Sequence, residues 1–256
     1  MELVYALILA FVQGVLEWFP VSSSGHLVLT EKLLEVFMDL SFEVALNFGT
    51  LMAIFVYFRK DIVYIVRDIL EKRWDSNNAK LGFFILIGSI PAGLFGFIFR
   101  SFFDSISGNL LLMGSGWIVT SLVLFIGSSS ARRSQKNFGY LKALVVGMGQ
   151  AIAFIPGVSR SGMTISSGLF FGLNEKEAVK FSYLLAIPAI IGANIVTFGN
   201  KTIPVDYLIP TMVCFFVALV FMNISFRYVL NDRKNLRWFG VYTLILGIVS
   251  IVFGLV

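Results

Sequence analysis

Charge is what this sequence has least of. Of its 256 residues only 14% are Asp, Glu, Lys or Arg, where an ordinary soluble domain carries about 25%. That scarcity, with a mean hydropathy of +0.87, excludes a soluble globule, a disordered chain and a nucleic-acid-binding module. A single cysteine, Cys214, excludes an intrachain disulfide and a cysteine-built metal centre. It lies in an apolar run and reads as packing or lipid contact. The chain also lacks the basic start of a secretory leader: MELVYALILA has an acidic second residue, so no cleavable signal is expected. Short alternating segments, the mark of a membrane barrel, are missing too.

What is present is apolar mass: 57% of residues fall in the set AVILMFWYC, and 27 are phenylalanine. This predicts an all-α integral membrane protein. A helix needs about 20 residues to cross ~30 Å of hydrocarbon. Six runs qualify, at 43–58, 82–99, 110–127, 178–198, 207–226 and 238–256. Pro91 and Pro188 fall inside two of them, where neighbours can satisfy the freed carbonyls.

Two further apolar stretches are each broken by a polar segment. The first, 3–38, is interrupted at Pro20-Val21-Ser22-Ser23-Ser24-Gly25-His26, and the second, 141–173, at Pro156-Gly157-Val158-Ser159-Arg160-Ser161-Gly162. Each half is too short to cross. The simplest geometry is a re-entrant helical hairpin whose break is buried or lines a wet cavity. A shift of 137 residues lays Gln13 on Gln150 and Val21–Gly25 on Val158–Gly162. Each half of the chain, 1–128 and 138–256, then holds one hairpin followed by three spans. Three is odd, so the halves form an inverted repeat within a single membrane domain, with both breaks near the midplane.

The basic residues orient this arrangement. Segments 59–81, 128–142, 175–180 and 227–237 carry sixteen of the 20 Lys and Arg residues, and the topology puts all four on one face. By the positive-inside rule that face is cytoplasmic. The first hairpin then opens outward, and the C-terminal residue lies outside.

Three ionisable residues sit at the breaks: Glu17, His26 and Arg160. A charge at membrane depth costs at least ~2.5–3.5 kcal/mol on insertion scales, so each is a functional candidate. A bare structural ion pair, Glu17 to Arg160, would not account for the lone histidine or for the hydroxyls of Ser22, Ser23, Ser24, Ser159, Ser161, Thr164 and Ser166. Arg160 offers a planar fork for phosphate oxygens. The two half-helices that follow the breaks present free N–H groups to an anion. Glu17 repels an anion, and makes sense as a ligand for a divalent cation or as a general base. His26 can pass protons, and a serine hydroxyl can attack phosphorus if a neighbour takes its proton. Together these parts predict hydrolysis of a phosphoryl group inside a membrane.

At these residues the sequence resembles the undecaprenyl-diphosphatase family, also called bacitracin-resistance proteins. Two segments carry the likeness: Gln13-Gly14-Val15-Leu16-Glu17 followed by Pro20 and the serine-rich Gly25-His26, and Pro156-Gly157-Val158-Ser159-Arg160-Ser161-Gly162-Met163-Thr164. Phe181 to Pro188 resembles the segment the family carries after its second signature. The resemblance implies removal of the terminal phosphate from a polyprenyl diphosphate, which regenerates a carrier lipid for cell-wall synthesis. It implies a plasma-membrane enzyme whose site faces outward and which needs a divalent cation, Mg2+ or Ca2+. Carried over by position, Glu17 is the metal ligand or base, Ser23 the nucleophile, His26 its proton partner and Arg160 the phosphate-binding group. Gln13, Ser22, Ser24, Ser159, Ser161 and Thr164 flank the substrate. Gln13 stands where many members have Glu, which leaves Glu17 alone to do the work of two carboxylates. Ser22 and Ser24 stay open as nucleophiles, and so does water.

The main rival is a flippase or transporter for an anionic isoprenoid lipid, since broken helices in an inverted repeat are a transporter pattern. Such a protein would need the arginine and the hydroxyls but not Glu17 and His26. A pure interaction protein is the remaining alternative. The small residues from Gly108 to Gly116 suggest close helix packing or a homodimer contact.

Overall fold

A computed structural model describes residues 2–106, 108–130, 138–198 and 204–255, and every regular element among them is helical. In chain order these are α1 (Leu3–Leu16), α2 (Ser23–Leu34), α3 (Leu40–Tyr57), α4 (Arg59–Leu70), α5 (Asn77–Ile98), α6 (Arg100–Ile106), α7 (Leu110–Ser129), α8 (Tyr140–Ile152), α9 (Arg160–Phe170), α10 (Glu175–Phe198), α11 (Leu208–Ile224) and α12 (Leu236–Leu255). A π-helical turn, Ser225–Val229, extends α11. Six of these helices, α3, α5, α7, α10, α11 and α12, are long and apolar enough to cross a membrane. The apolar helices α1 and α8, of 14 and 13 residues, rise only about 20 Å at 1.5 Å per residue and fall short of ~30 Å of hydrocarbon.

The spans α3 and α5 begin earlier than their apolar runs suggest, because caps rather than hydropathy set these helix starts. Asp39 accepts from the Phe42 amide at 2.7 Å and opens α3. Ser76 accepts from the Ala79 amide at 3.0 Å and opens α5 ahead of its apolar run. The segment 59–81, read from its charges as a plain loop, contains α4. Ile65 and Ile69 of that helix lie against Gly82 of α5, while Val63, Val66 and Leu70 stay exposed. Counting charges hid this amphipathic helix, since its apolar residues are spaced among five charged ones.

The basic segments do meet on one face. Lys180 of α10 pairs with Asp61 of α4. Arg233 donates to Glu175 at 2.7 Å and to the Ser130 carbonyl at 2.9 Å. At the other end of the spans, Tyr207 donates to Asp39.

The main helix contacts join elements of the first half of the chain to elements of the second. α1 packs on α11, and its counterpart α8 packs on α5; α3 packs on α11 as α10 does on α5; and the two last spans, α7 and α12, lie together. The closest approaches are backbone to backbone. A Cβ at Gly116 would lie 2.0 Å from the Pro156 carbonyl oxygen, and one at Gly157, where φ is +83°, would lie 2.0 Å from that of Met113. Only glycine permits these crossings, which seat the second break against α7. Gly114 is likewise used inside the chain, against Gly247 and Ile251 of α12. Cys214 is buried against α3, its thiol directed at the Leu46 carbonyl.

Candidate active site

Each break leaves helix-end and loop carbonyls that lipid cannot solvate, so each must find a partner in the protein. In the first break the partners come from three other helices, from the π-helical turn and from His26 at the start of α2. Tyr183 donates to the Trp18 carbonyl at 2.6 Å, and Ser225 reaches the same oxygen at 2.9 Å. Ser161 donates to Phe19 O at 3.0 Å. The indole N–H of Trp117 donates to Val21 O at 2.9 Å, an approach possible because Gly25 has no Cβ to meet that ring. The His26 ring takes the Ser22 carbonyl at 2.7 Å. Ser22 itself has φ +65°, a left-handed conformation uncommon outside glycine. The turn sends the next residue, Ser23, back toward Glu17.

The second break is held in the same manner. The Thr120 hydroxyl donates to Gly157 O at 3.1 Å and accepts from the Ser159 amide at 2.9 Å. Ser159 then caps α9 by accepting from the Gly162 amide at 3.1 Å. Arg160, the first residue of α9, is thereby aimed at the first hairpin.

The two breaks meet around a cavity of about 200 Å³, lined by both hairpins and by α3 and α10. Glu17 is at its centre. Its carboxylate accepts from Arg160, from the Ser23 hydroxyl at 2.6 Å and from the Gln13 amide at 3.1 Å. That amide also donates to Asn47 at 2.8 Å. Two acceptors fix which end of the Gln13 side chain is nitrogen, and leave its Oε1 buried without a partner. The second guanidinium nitrogen of Arg160, Nη1, is likewise buried and unpartnered. Buried polar groups in proteins are ordinarily satisfied, so two orphans in one cavity mark it as built for something else. At the cavity edge, Ser22 caps α2 with no side-chain bond, so the first amides of that helix have no side-chain acceptor.

Of the residues singled out from sequence, Gln13, Glu17, Ser22, Ser23, Ser24, Ser159, Arg160 and Ser161 all line this cavity. Three do not. Thr164 turns into the protein and bonds the Arg160 carbonyl at 2.9 Å and Ser182 at 2.6 Å. Ser166 is buried against Gly127. His26 stands behind the serine turn, between the Ser22 carbonyl and Tyr242, and bonds neither Ser23 nor Glu17. Sequence reasoning missed Glu43 and Asn47, four residues apart on one face of α3, which also line the cavity. Their signal was an acid in the first turn of a span, which reads as an ordinary helix start.

A second, larger groove of about 670 Å³ adjoins the cavity and shares Ser24 and Glu43 with it. Leu27, Val28, Phe37, Met113 and Phe154 give it an apolar wall.

Comparison with known proteins agrees with the sequence signatures. The profile of the family described as bacitracin resistance protein BacA matches residues 6–249. An undecaprenyl-diphosphatase of Methanosphaera stadtmanae is 34% identical over 100% of this chain and 99% of its own. Proteins of the same name from Korarchaeum cryptofilum and Carboxydothermus hydrogenoformans are 35% and 36% identical, over 97% and 96% of this chain and 98% and 95% of theirs.

Proposed function

From its membership of the bacitracin resistance protein family, to which this chain belongs, we propose that it is a multi-pass membrane phosphatase that hydrolyses undecaprenyl diphosphate to the monophosphate and inorganic phosphate. The observation that carries the reading is one contact set: Glu17 accepting from both the Ser23 hydroxyl and Arg160 at the wall of a shared cavity. A transporter of anionic lipid has no use for a hydroxyl paired to a carboxylate.

In this reading the terminal phosphate enters beside Arg160, whose unpartnered Nη1 takes a phosphoryl oxygen. The free amides at the start of α2 take another. Glu17 accepts the Ser23 proton as the hydroxyl oxygen attacks phosphorus, and the polyprenyl monophosphate leaves. The proton on Glu17 passes to the departing monophosphate; water, deprotonated by the carboxylate, then attacks the phosphoserine, the bond from phosphorus to the Ser23 oxygen breaks, and Ser23 takes the proton back as inorganic phosphate leaves. The apolar groove that adjoins the cavity at Ser24 and Glu43 would take the start of the isoprenoid chain.

The residues fit a hard divalent cation. Gln13 Oε1 is an orphaned oxygen, and the carboxylates of Glu17 and Glu43 line the same cavity. Two carboxylates and an amide oxygen would leave the rest of the shell of an ion held here, Mg2+ or Ca2+, to substrate oxygens and water. When bound it would neutralise charge on the diphosphate. Gln13, Glu17 and Glu43 are the residues that would hold it.

The outward orientation is supported by where the cavity lies. Glu43 and Asn47 stand near the start of α3, and the basic segments follow its end at Arg59. The homodimer remains a proposal that the glycines of α7 no longer support, since Gly114 and Gly116 pack within the chain.

The test is phosphate release from polyprenyl diphosphates of defined length, with and without chelator, beside a lipid-translocation assay in vesicles. Phosphate release that chelator abolishes is the expected result. Translocation without release would replace the enzyme by a flippase.

A further inference from the structure

The resemblance makes His26 a proton partner of the nucleophile, but the contacts around it describe something else. Its Nδ1 lies 2.7 Å from the Ser22 carbonyl oxygen. A carbonyl only accepts, so Nδ1 carries the hydrogen. Its Nε2 lies 2.7 Å from the Tyr242 hydroxyl. In a neutral ring protonated at Nδ1, Nε2 is the acceptor and Tyr242 the donor. Both nitrogens are thus occupied, one by a carbonyl and one by a phenol, and neither by a carboxylate. The Tyr242 ring stacks on the imidazole at 5.7 Å with an interplanar angle of 12°, and Trp117 closes its other side edge-on at 5.5 Å. No degree of freedom is left for the ring to turn toward Ser23.

The bond to Ser22 falls at the strained point of the site. Ser22 has φ +65°, and its carbonyl accepts the His26 ring at 2.7 Å as well as the longer bond from the His26 backbone amide at 3.3 Å. The proton of the Ser23 hydroxyl is already directed at Glu17, 2.6 Å away.

We propose that His26 is a positioning strut, held as the neutral Nδ1–H tautomer by Tyr242, and that Tyr242 is therefore a positioning residue of the site. Tyr242 orients the ring, the ring holds the Ser22 carbonyl, and the left-handed turn at Ser22 places Ser23 on Glu17. A span of the second half thereby sets the geometry of a nucleophile in the first, in the way that a third group orients the base of a catalytic triad.

The chain contains one histidine, so protein labelled with 15N-imidazole histidine and purified without a histidine tag reports on His26 alone. The expected spectrum shows a protonated Nδ1 and a bare Nε2. A ring protonated at Nε2 alone would overturn the assignment. The kinetic arm rests on the proposed phosphatase reading and uses phosphate release. Asparagine places an amide N–H close to where histidine has Nδ1 but cannot relay a proton. His26→Asn should therefore stay within about 10-fold of wild-type kcat while His26→Ala loses ~100-fold or more, the usual span of a lost acid–base or orienting group. Equal loss in both variants would make the ring a proton carrier and sink the proposal. Tyr242→Phe should lower kcat about 10-fold, leave KM and the thermal midpoint in place, and mix the two tautomers in the spectrum. An unchanged spectrum in that variant would remove Tyr242 from the role. Wild-type protein that releases no phosphate would defeat the phosphatase reading, while the tautomer would still be read.

Discussion

Replacing Glu17 by glutamine separates catalysis from scaffolding at the centre of the cavity. The carboxylate accepts from Arg160, Ser23 and Gln13 at once. Glutamine retains one acceptor oxygen and brings an NH2 that faces donors, so it can serve Arg160 or Ser23 but not both. It has no basicity with which to take the Ser23 proton. Loss of a general base costs about 10²–10⁴ in rate, and the lower bound alone corresponds to about 2.7 kcal/mol of transition-state energy. Stability should suffer less. Breaking a fully buried pair costs about 3–5 kcal/mol and an exposed one about 0–1. Here the side chains are 19% and 11% exposed, which places the cost between those ranges. The assay is steady-state phosphate release per folded molecule, read beside a thermal unfolding curve in detergent. Glu17→Gln should fold, melt somewhat earlier and turn over at ~1% or less of wild type. In the proposed reaction Ser23 acts through Glu17, so Ser23→Ala combined with Glu17→Gln should be no slower than the worse single variant, as expected for residues that act as a unit. A well-folded Glu17→Gln protein with turnover within about threefold of wild type would refute the assignment, and additive losses would refute the pairing.

Three further outcomes are expected. Arg160→Lys loses the fork and at least one charge-assisted hydrogen bond, about 1.5–3 kcal/mol, so kcat should fall about 10- to 150-fold with a smaller rise in KM. Unfolding with unchanged per-molecule turnover would make the arginine structural. Gly116→Ala puts a Cβ 2.0 Å from the Pro156 carbonyl oxygen, and overpacking against backbone should cost about 1–3 kcal/mol or more in the unfolding curve. Gly93→Ala, where a Cβ meets nothing within 4 Å, serves as the neutral control. Hydrogen bonds, with Asn78 first, hold the Asp68 carboxyl below its ordinary range. Its folded pKa being the lower one, its stabilising effect is present above about pH 4, the unfolded value, and is lost as pH falls through the folded value. Proteolysis between α4 and α5 should rise in acid, and Asp68→Asn should remove that dependence.

Hydropathy was enough to find the six spans, and the two polar breaks marked where the short apolar helices α1 and α8 end. The likeness of the two broken stretches at a shift of 137 does not extend to the ionisable residues, since Phe154 stands where Glu17 does and Met163 where His26 does. Local sequence could not show that α3 brings Glu43 and Asn47 to the cavity. Nor could it show that Tyr242, more than 200 residues downstream, reaches His26. Both follow from which spans pack together. α4 escaped for a different reason, since its charges outweigh its apolar edge in any hydropathy window.

The first break depends for its backbone partners on residues made much later. Ser161, Tyr183 and Ser225, which satisfy the Phe19 and Trp18 carbonyls, all belong to the second half of the chain. During synthesis the first hairpin therefore leaves the ribosome with a Trp18 carbonyl that lipid cannot satisfy, and that oxygen gains its hydroxyl partners only when α10 and the turn after α11 arrive. Insertion of this protein is a matter of timing as well as hydrophobicity.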